Sequence, residues 1–191
     1  MKTSLIFSAF MLIGSLVFAT GEPTALENID VAKSTITWTG KKVTGEHTGA
    51  ISLKSGNLSF KNGRLSGGTF EVDMNTITNA DMEGEWSDKL VGHLKSDDFF
   101  GVKNHAVSTL KITKVSMGKN GNFDVTADLT IKGKTNPVSF SVKADGNTYS
   151  TKITVDRTLY NVKYGSGKFF DGLGDKMIYD NFELDVKLVT S

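Results

Sequence analysis

The sequence predicts an all-β protein, built as a single antiparallel barrel of eight strands with one short helix between strands. Three observations predict this fold. Apolar and polar residues alternate along most of the chain beyond residue 30, as in strands with one buried and one solvated face. Turns rich in Asn and Gly separate these runs, which favours hairpins. The outward faces are polar, and closure into a barrel removes open sheet edges. A two-sheet sandwich is the alternative.

The first residues have the features of a secretory signal peptide. Lys2 supplies a positive charge, and residues 5–18 form an apolar stretch ahead of Ala19. That stretch is shorter than the roughly 20 residues that a membrane-spanning helix needs. We therefore expect cleavage near Ala19, with residues 1–19 as the signal and residues 20–191 as one exported domain, periplasmic or secreted.

The predicted strands follow one another along the rest of the chain. Their inward residues are Ile36 and Trp38; Ile51 and Leu53; Phe70, Val72 and Met74; Leu110 and Ile112; Phe123, Val125, Ala127, Leu129 and Ile131; Val138, Phe140, Val142 and Ala144; Tyr149, Ile153 and Val155; and Phe182, Leu184, Val186 and Leu188. Between Ile112 and Val115 the alternation shifts by one residue, which indicates a β-bulge. Turn sequences at 61–63, 119–122 and 145–147 predict hairpins.

One segment departs from the period of two. Within residues 81–98, Trp86, Leu90 and Leu94 recur at helical spacing. The pattern predicts one helix of about three turns with Asp81 as its N-cap. We expect its apolar stripe to pack against the barrel wall or over one end.

Composition argues against several functional classes. Basic residues number 22 and acidic residues 21, and loss of Lys2 with the signal balances them, so we expect no binding to nucleic acid. The chain has no cysteine, and packing must therefore stabilise the exported domain without disulfides. Beyond the signal no apolar run is long enough for stable membrane insertion.

Motifs for metal binding and catalysis are weak. His47, His93 and His105 lie far apart, with no pair at i, i+4, so we predict no metal site. His93 is expected to anchor the end of the predicted helix through a hydrogen bond. The acidic residues near that helix are typical of a solvated first turn. Residues 165–167 lack the spacing of a nucleophile elbow, and we expect no catalytic residue and no cofactor.

Arg157 is the notable polar residue on an inward-facing row. Counted by twos from Ile153 and Val155, it falls on the apolar face, where a guanidinium needs a partner or water. Two interpretations stay open. Arg157 pairs with a carboxylate such as Asp171 or Asp175, or it contacts the polar head of a ligand at the barrel mouth.

The inward rows mix bulky and small apolar side chains, which suits either a narrow channel or a packed core. An eight-stranded barrel has room for filling side chains or for one small ligand. The candidate lining residues of a channel are Trp38, Phe70, Val72, Met74, Phe123, Val125, Phe140, Val142, Ile153, Val155, Arg157, Phe182 and Leu184.

Several local motifs occur in a fixed order over roughly residues 30–189. They are Trp38-Thr39-Gly40-Lys41-Lys42; Met74-Asn75-Thr76-Ile77-Thr78; His93-Leu94-Lys95-Ser96-Asp97-Asp98-Phe99-Phe100; Leu129-Thr130-Ile131-Lys132-Gly133 with Thr135 and Pro137-Val138; and Asp156-Arg157 with Tyr164-Gly165-Ser166. In order and spacing they resemble the YceI-like, polyisoprenoid-binding family. One departure is Gly101, which stands where the family usually has an acidic residue.

The resemblance implies a lipocalin-like barrel whose long interior pore takes an isoprenoid chain, in an exported and typically periplasmic protein. The implied partner is an apolar chain lipid, and a homodimer is compatible with it. Two other functions are kept as alternatives. One is an enzyme acting on a small amphipathic substrate in the same cavity, with Arg157 and either His93 or Asp98 as its polar groups. The other is an exported interaction module that uses its outer surface.

Overall fold

The computed structural model describes residues 24–191, so the predicted signal peptide, residues 1–19, lies outside the described part. The described part contains nine strands and one α-helix. In chain order they are β1 (Thr24–Asn28), β2 (Thr35–Lys42), β3 (Gly45–Lys61), β4 (Arg64–Asp73), α1 (Gly84–Lys95), β5 (Val107–Met117), β6 (Phe123–Ile131), β7 (Lys134–Asp145), β8 (Thr148–Asp156) and β9 (Ile178–Val189). Among these residues no helix is long and apolar enough to cross a membrane.

Strands β2 to β9 form a closed antiparallel barrel. The strand order is β3-β2-β9-β8-β7-β6-β5-β4, and β4 pairs with β3 to complete the ring. The structure confirms the predicted eight-stranded barrel with one helix, and its closure excludes the two-sheet sandwich. Strand β1 was not predicted, because its exposed residues show no alternation. It pairs with the second half of β3, on the edge opposite β4, and Ile29 just after it forms a bridge with Thr190 at the end of β9.

Local features of the sequence fix the register of the barrel. The predicted bulge is confirmed: the pairing of β5 with β6 shifts between Ile112 and Lys114. The predicted hairpin turns join β3 to β4, β5 to β6 and β7 to β8. In the first of these, Asn62 and Gly63 have φ values of 51° and 72°, which a two-residue hairpin turn requires.

The two ends of the barrel are closed differently. At one end, the turn end, short hairpins join the strands. At the other end, the capped end, lie α1, the long connections from β4 to β5 and from β8 to β9, and the short turns from β2 to β3 and from β6 to β7. A second apolar cluster forms there from Met74, Ile77, Leu94, Phe99, Val102 and Val162. Helix α1 therefore packs over an end of the barrel through Leu94.

The predicted N-cap of the helix is wrong. Helix α1 begins at Gly84, and Glu83 occupies the N-cap position without a side-chain hydrogen bond. The carboxylate of Asp81 instead accepts a 2.8 Å hydrogen bond from the backbone N–H of Thr48. Its other oxygen lies 2.8 Å from Nδ1 of His47. Asp81 thus joins the segment before the helix to the first half of β3, on the edge that no strand covers.

Candidate ligand site in the barrel lumen

The barrel encloses a cavity along its axis. The centre of a water-sized sphere can occupy about 190 Å³ of it, and about 1470 Å³ is free of protein atoms when space open to solvent is included. A single water needs only about 10–15 Å³ by the first measure. The inward side chains therefore leave a channel and do not fill the interior.

The wall of this lumen is almost entirely apolar. Every strand of the ring contributes to it, because alternate side chains of each strand point inward. The strand residues that border it include Ile36, Trp38, Ile51, Leu53, Leu58, Leu65, Phe70, Val72, Leu110, Ile112, Leu129, Ile131, Phe140, Val142, Tyr149, Ile153, Phe182 and Leu184. Such a wall offers a ligand apolar contact and few hydrogen bonds.

Most of the predicted lining residues border the cavity. They are Trp38, Phe70, Val72, Met74, Phe140, Val142, Ile153, Arg157, Phe182 and Leu184. Phe123, Val125 and Val155 face inward but do not border it. Val125 and Val155 are 2% and 1% exposed, since they are enclosed within the main apolar cluster, against which Phe123 packs.

Four residues of the capped end also border the cavity and were not among the predicted lining residues. They are Ile77, Leu94, Phe99 and Phe100. Alternation could not find them, because they lie in the connection between β4 and β5. The sequence features that could have indicated these lining residues are the apolar stripe of the helix and the Phe-Phe pair that follows it.

Glycines allow two aromatic rings to lie against the wall. A Cβ atom on Gly56 would lie 2.7 Å from the ring of Phe70, and one on Gly68 would lie 3.3 Å from it. A Cβ on Gly49 would lie 2.7 Å from the ring of Trp38. The Trp38 ring crosses β3 at this glycine, and its Nε1 donates a 3.0 Å hydrogen bond to the carbonyl of Thr78.

Arg157 is buried at the capped end, with 2% of its surface exposed. Its Nε donates to the carbonyl of Tyr179 at 3.1 Å, Nη1 to that of Val162 at 2.8 Å and Nη2 to that of Ile178 at 3.0 Å. These bonds tie the connection between β8 and β9 to the barrel. Burial lowers the pKa of Arg157, and the charge of Asp180 opposes that shift.

The predicted carboxylate partners of Arg157 are wrong. Neither Asp171 nor Asp175 pairs with it, and the nearest carboxylate is Asp180, whose Oδ1 lies 3.7 Å from Nη2. The reason is that Arg157 binds the carbonyls of Ile178 and Tyr179 at the start of β9, and Asp180 follows them in the same strand. Three of its five N–H donors bind backbone carbonyls, and Arg157 borders the lumen as a structural residue.

His93 does not form the predicted hydrogen bond. Its Nε2 is buried without a partner among the described residues, and its ring lies edge-on to Tyr164 at 4.4 Å and to Phe99 at 5.6 Å. Ser96 ends the helix instead, donating from its backbone N–H and its hydroxyl to the His93 carbonyl. The contacts of His93 are therefore aromatic.

Charged groups are few around the lumen. Among the residues that border it, Lys41 and Arg157 are charged, whereas His93 and Asp98 do not border it. Within residues 24–191 no group of three His, Asp or Glu side chains is placed to hold a metal ion. The geometry thus offers an apolar binding surface with little polar chemistry.

Comparison with known sequences identifies a family. Residues 28–190 match the YceI-like domain. A UPF0312 protein from Vibrio parahaemolyticus is 33% identical over 98 residues, which are 51% of this chain and 50% of that protein. The chain therefore spans about half the length of the curated relatives it matches.

Solved structures share the fold at low sequence identity. BcnA from Burkholderia cenocepacia has a TM-score of 0.67 at 20% identity, over 85% of this chain and 99% of that one. A polyisoprenoid-binding domain from Saccharophagus degradans, implicated in plant cell wall breakdown, has a TM-score of 0.59 at 14% identity, over 88% and 99% of the two chains. The family match covers nearly all of the described residues, and the protein belongs to the YceI-like domain family.

Proposed function

We propose that this protein binds a long apolar lipid, such as a polyisoprenoid or a prenyl-quinone-like molecule, in the barrel lumen. It carries or stores this lipid outside the cytoplasm and performs no covalent chemistry on it. The observation that supports the proposal most directly is an open lumen whose wall is apolar on every strand. The polyisoprenoid-binding neighbour of the same fold adds support for the ligand class.

Burial of the chain supplies the binding energy in this proposal. Each methylene removed from water contributes about 0.8 kcal/mol, which offsets the cost of ordering a flexible chain. Strands of about ten residues, at about 3.3 Å per residue and a tilt of about 40°, make the barrel roughly 25 Å tall. Such a lumen selects ligands by length and width more than by polar groups.

The proposed location rests on the N-terminal sequence. A positive residue, an apolar stretch and Ala19 are the features of a cleavable secretory signal. N-terminal sequencing of the protein from separated cell fractions tests this part. A periplasmic or extracellular species that starts just after residue 19 is expected, and a species in the cytoplasm that retains Lys2 would refute export.

Extraction of the purified protein with organic solvent tests the ligand. Mass spectrometry should find a prenyl lipid in the extract of the wild type. Val142→Trp fills the lumen, because Val142 borders it and is 7% exposed. This variant should fold and contain no lipid. Its matched control is Lys143→Trp, at the neighbouring exposed position on β7, which should retain the lipid. Equal loading of both variants would rule out a site in the lumen.

A further inference from the structure

The exposed aromatic side chains are unevenly distributed over the barrel. Within residues 24–191 five aromatic side chains are exposed, and all five lie at the capped end. They are Trp86 on α1, Tyr164, Phe169 and Phe170 in the connection from β8 to β9, and Tyr179 at the start of β9. Single exposed apolar residues are common on proteins, whereas a group of them on one part of the surface marks an interaction site.

Ring contacts place four of these residues on neighbouring segments. The centre of the Tyr164 ring lies 4.4 Å from that of His93, which joins the connection to α1. Trp86 precedes His93 by two helical turns and therefore lies on the same face of α1. The Nζ atom of Lys163 lies 4.8 Å from the centre of the Phe169 ring. Together these segments form an aromatic face, which consists of Trp86, Tyr164, Phe169 and Phe170.

The two phenylalanines of the aromatic face lie on a loop that contributes nothing to the core. No side chain of residues 167–176 is buried. The backbone N–H groups of Phe169 and Phe170 both donate to the carbonyl of Ser166 at 3.1 Å, which holds the pair in a turn. Both side chains are about half exposed. They can therefore enter another apolar phase without any change in the barrel.

A row of rings connects the aromatic face to the lumen wall. From the exposed Tyr164 the row continues through His93 to Phe99, whose ring centre lies 5.6 Å from that of His93. Phe99 lies 5.0 Å from Phe100, and both border the lumen. Nε2 of His93 has no hydrogen-bond partner among the described residues. The row is thus apolar in its contacts from the surface of the capped end to the lumen.

The charges near the aromatic face suit a phospholipid surface. Residues 157–170 contain one arginine, two lysines and no carboxylate. Lys89 Nζ lies 4.9 Å from the centre of the Trp86 ring, as Lys163 lies over Phe169. Rings beside lysines are typical of a bilayer interface, where the ring enters the acyl boundary and the ammonium group reaches the phosphates.

We propose that the aromatic face docks peripherally on the surface of a phospholipid bilayer. The inference rests on the proposed lumen function, since a carrier of a membrane lipid takes up or releases its ligand at a bilayer. It adds the partner and the end of the barrel that meets it. Asp171 directly follows the two phenylalanines, so the net electrostatic attraction is small and burial of the rings supplies most of the binding.

Co-sedimentation with vesicles tests the docking surface. The vesicles are phosphatidylethanolamine with a minor share of phosphatidylglycerol, and the exported form of each protein is used. The double variant Phe169→Ser and Phe170→Ser should bind at least about tenfold more weakly than the wild type, because two half-exposed rings lose their burial. The matched control is Leu26→Ser with Met117→Ser, two exposed apolar residues at the turn end. It should bind as the wild type does.

Tryptophan fluorescence tests the orientation on the vesicle. Phospholipids with brominated acyl chains should quench the emission of the wild type, because Trp86 enters the interface. Trp86→Phe should remove most of this quenching, since Trp38 is held in the barrel wall by its hydrogen bond to Thr78. Quenching that is unchanged in Trp86→Phe would show that the aromatic face does not meet the bilayer.

The outcomes separate docking from the lumen function. Failure of the wild type to bind vesicles, or equal losses in the double variant and its turn-end control, overturns the docking proposal. A prenyl lipid in the solvent extract would still support the lumen function in that case. Vesicle binding that depends on Phe169 and Phe170, together with an extract free of lipid, supports docking and contradicts the lumen function.

Discussion

The turn end and the capped end of the barrel are built on different principles. At the turn end, neighbours in sequence meet through short hairpins, and apolar side chains such as Leu58 and Leu65 are buried. At the capped end, segments that are far apart in sequence are joined by side-chain donors that bind backbone carbonyls. Lys132 Nζ donates to the carbonyls of Asp97 and Phe99 at 2.6 and 2.7 Å, and Arg157 bridges β8 and the start of β9.

This difference teaches which forces hold each end. The turn end depends on the apolar packing of side chains such as Leu58 and Leu65. The capped end combines the second apolar cluster with two cationic side chains, the buried Arg157 and the partly exposed Lys132, each of which donates to more than one carbonyl. Loss of such a donor leaves several buried acceptors unpaired. Four substitutions test the contrast, from the largest expected effect to the smallest.

Arg157→Met should have the largest effect. It leaves three carbonyls and the buried oxygen of Asp180 without their cation. Removal of one partner from such a buried group lowers the free energy of unfolding by about 3–5 kcal/mol. Urea unfolding measures it. Lys168→Met, at a half-exposed neighbour, should cost less than about 1 kcal/mol. Similar losses for both variants would contradict the role given to Arg157.

Leu58→Ala probes the turn end. Leu58 is 2% exposed, and its truncation should lower the free energy of unfolding by about 3 kcal/mol through lost burial and a larger void. The control is Leu26→Ala on β1, since Leu26 is 66% exposed. The loss at Leu58 should be the same at low and high salt, because no charge is involved. A strong salt dependence would show that the packing account of this end is wrong.

Gly49→Ala tests the attachment of the capped end to β3. The new Cβ would lie 1.9 Å from the carbonyl of Thr78, so the segment must move and the Trp38 indole loses its acceptor. Overpacking of this kind costs about 1–3 kcal/mol. In a Trp86→Phe background Trp38 is the single tryptophan, and its fluorescence should shift to the red. Gly92→Ala, where nothing lies within 4 Å of the new Cβ, should leave the spectrum unchanged.

Asp81→Asn should have the smallest effect. Burial raises the pKa of Asp81, but hydrogen bonds from Thr48, His47 and Asn79 outweigh it and lower the pKa below its ordinary value. A depressed carboxyl pKa adds stability above the unfolded value of about 3.9, and that stability is lost as pH falls through the folded value. Urea unfolding should show a wild-type advantage at pH 7 that disappears towards pH 3. An advantage that persists at pH 3 would contradict this account.

The parts of the structure that could be predicted are those set by short-range patterns. Alternation fixed which residues face inward, and the shift after Ile112 gave the bulge of β5. The partner of Arg157 could not be predicted, because Asp180 lies near it only through a shift in the pairing of β2 with β9 between Gly40 and Lys42. The open lumen could not be predicted either. The same apolar rows fill or line a barrel according to how far apart the strands hold them.

The ring of Phe70 packs directly on the backbone at Gly56 and Gly68, two positions without a side chain. The Phe70 side chain therefore sets part of the width of the cavity at that level. A smaller side chain at position 70 should widen the cavity there, whereas a larger one would press against the backbone at Gly56 and Gly68. A single substitution at this position is thus a way to change the width of the lumen.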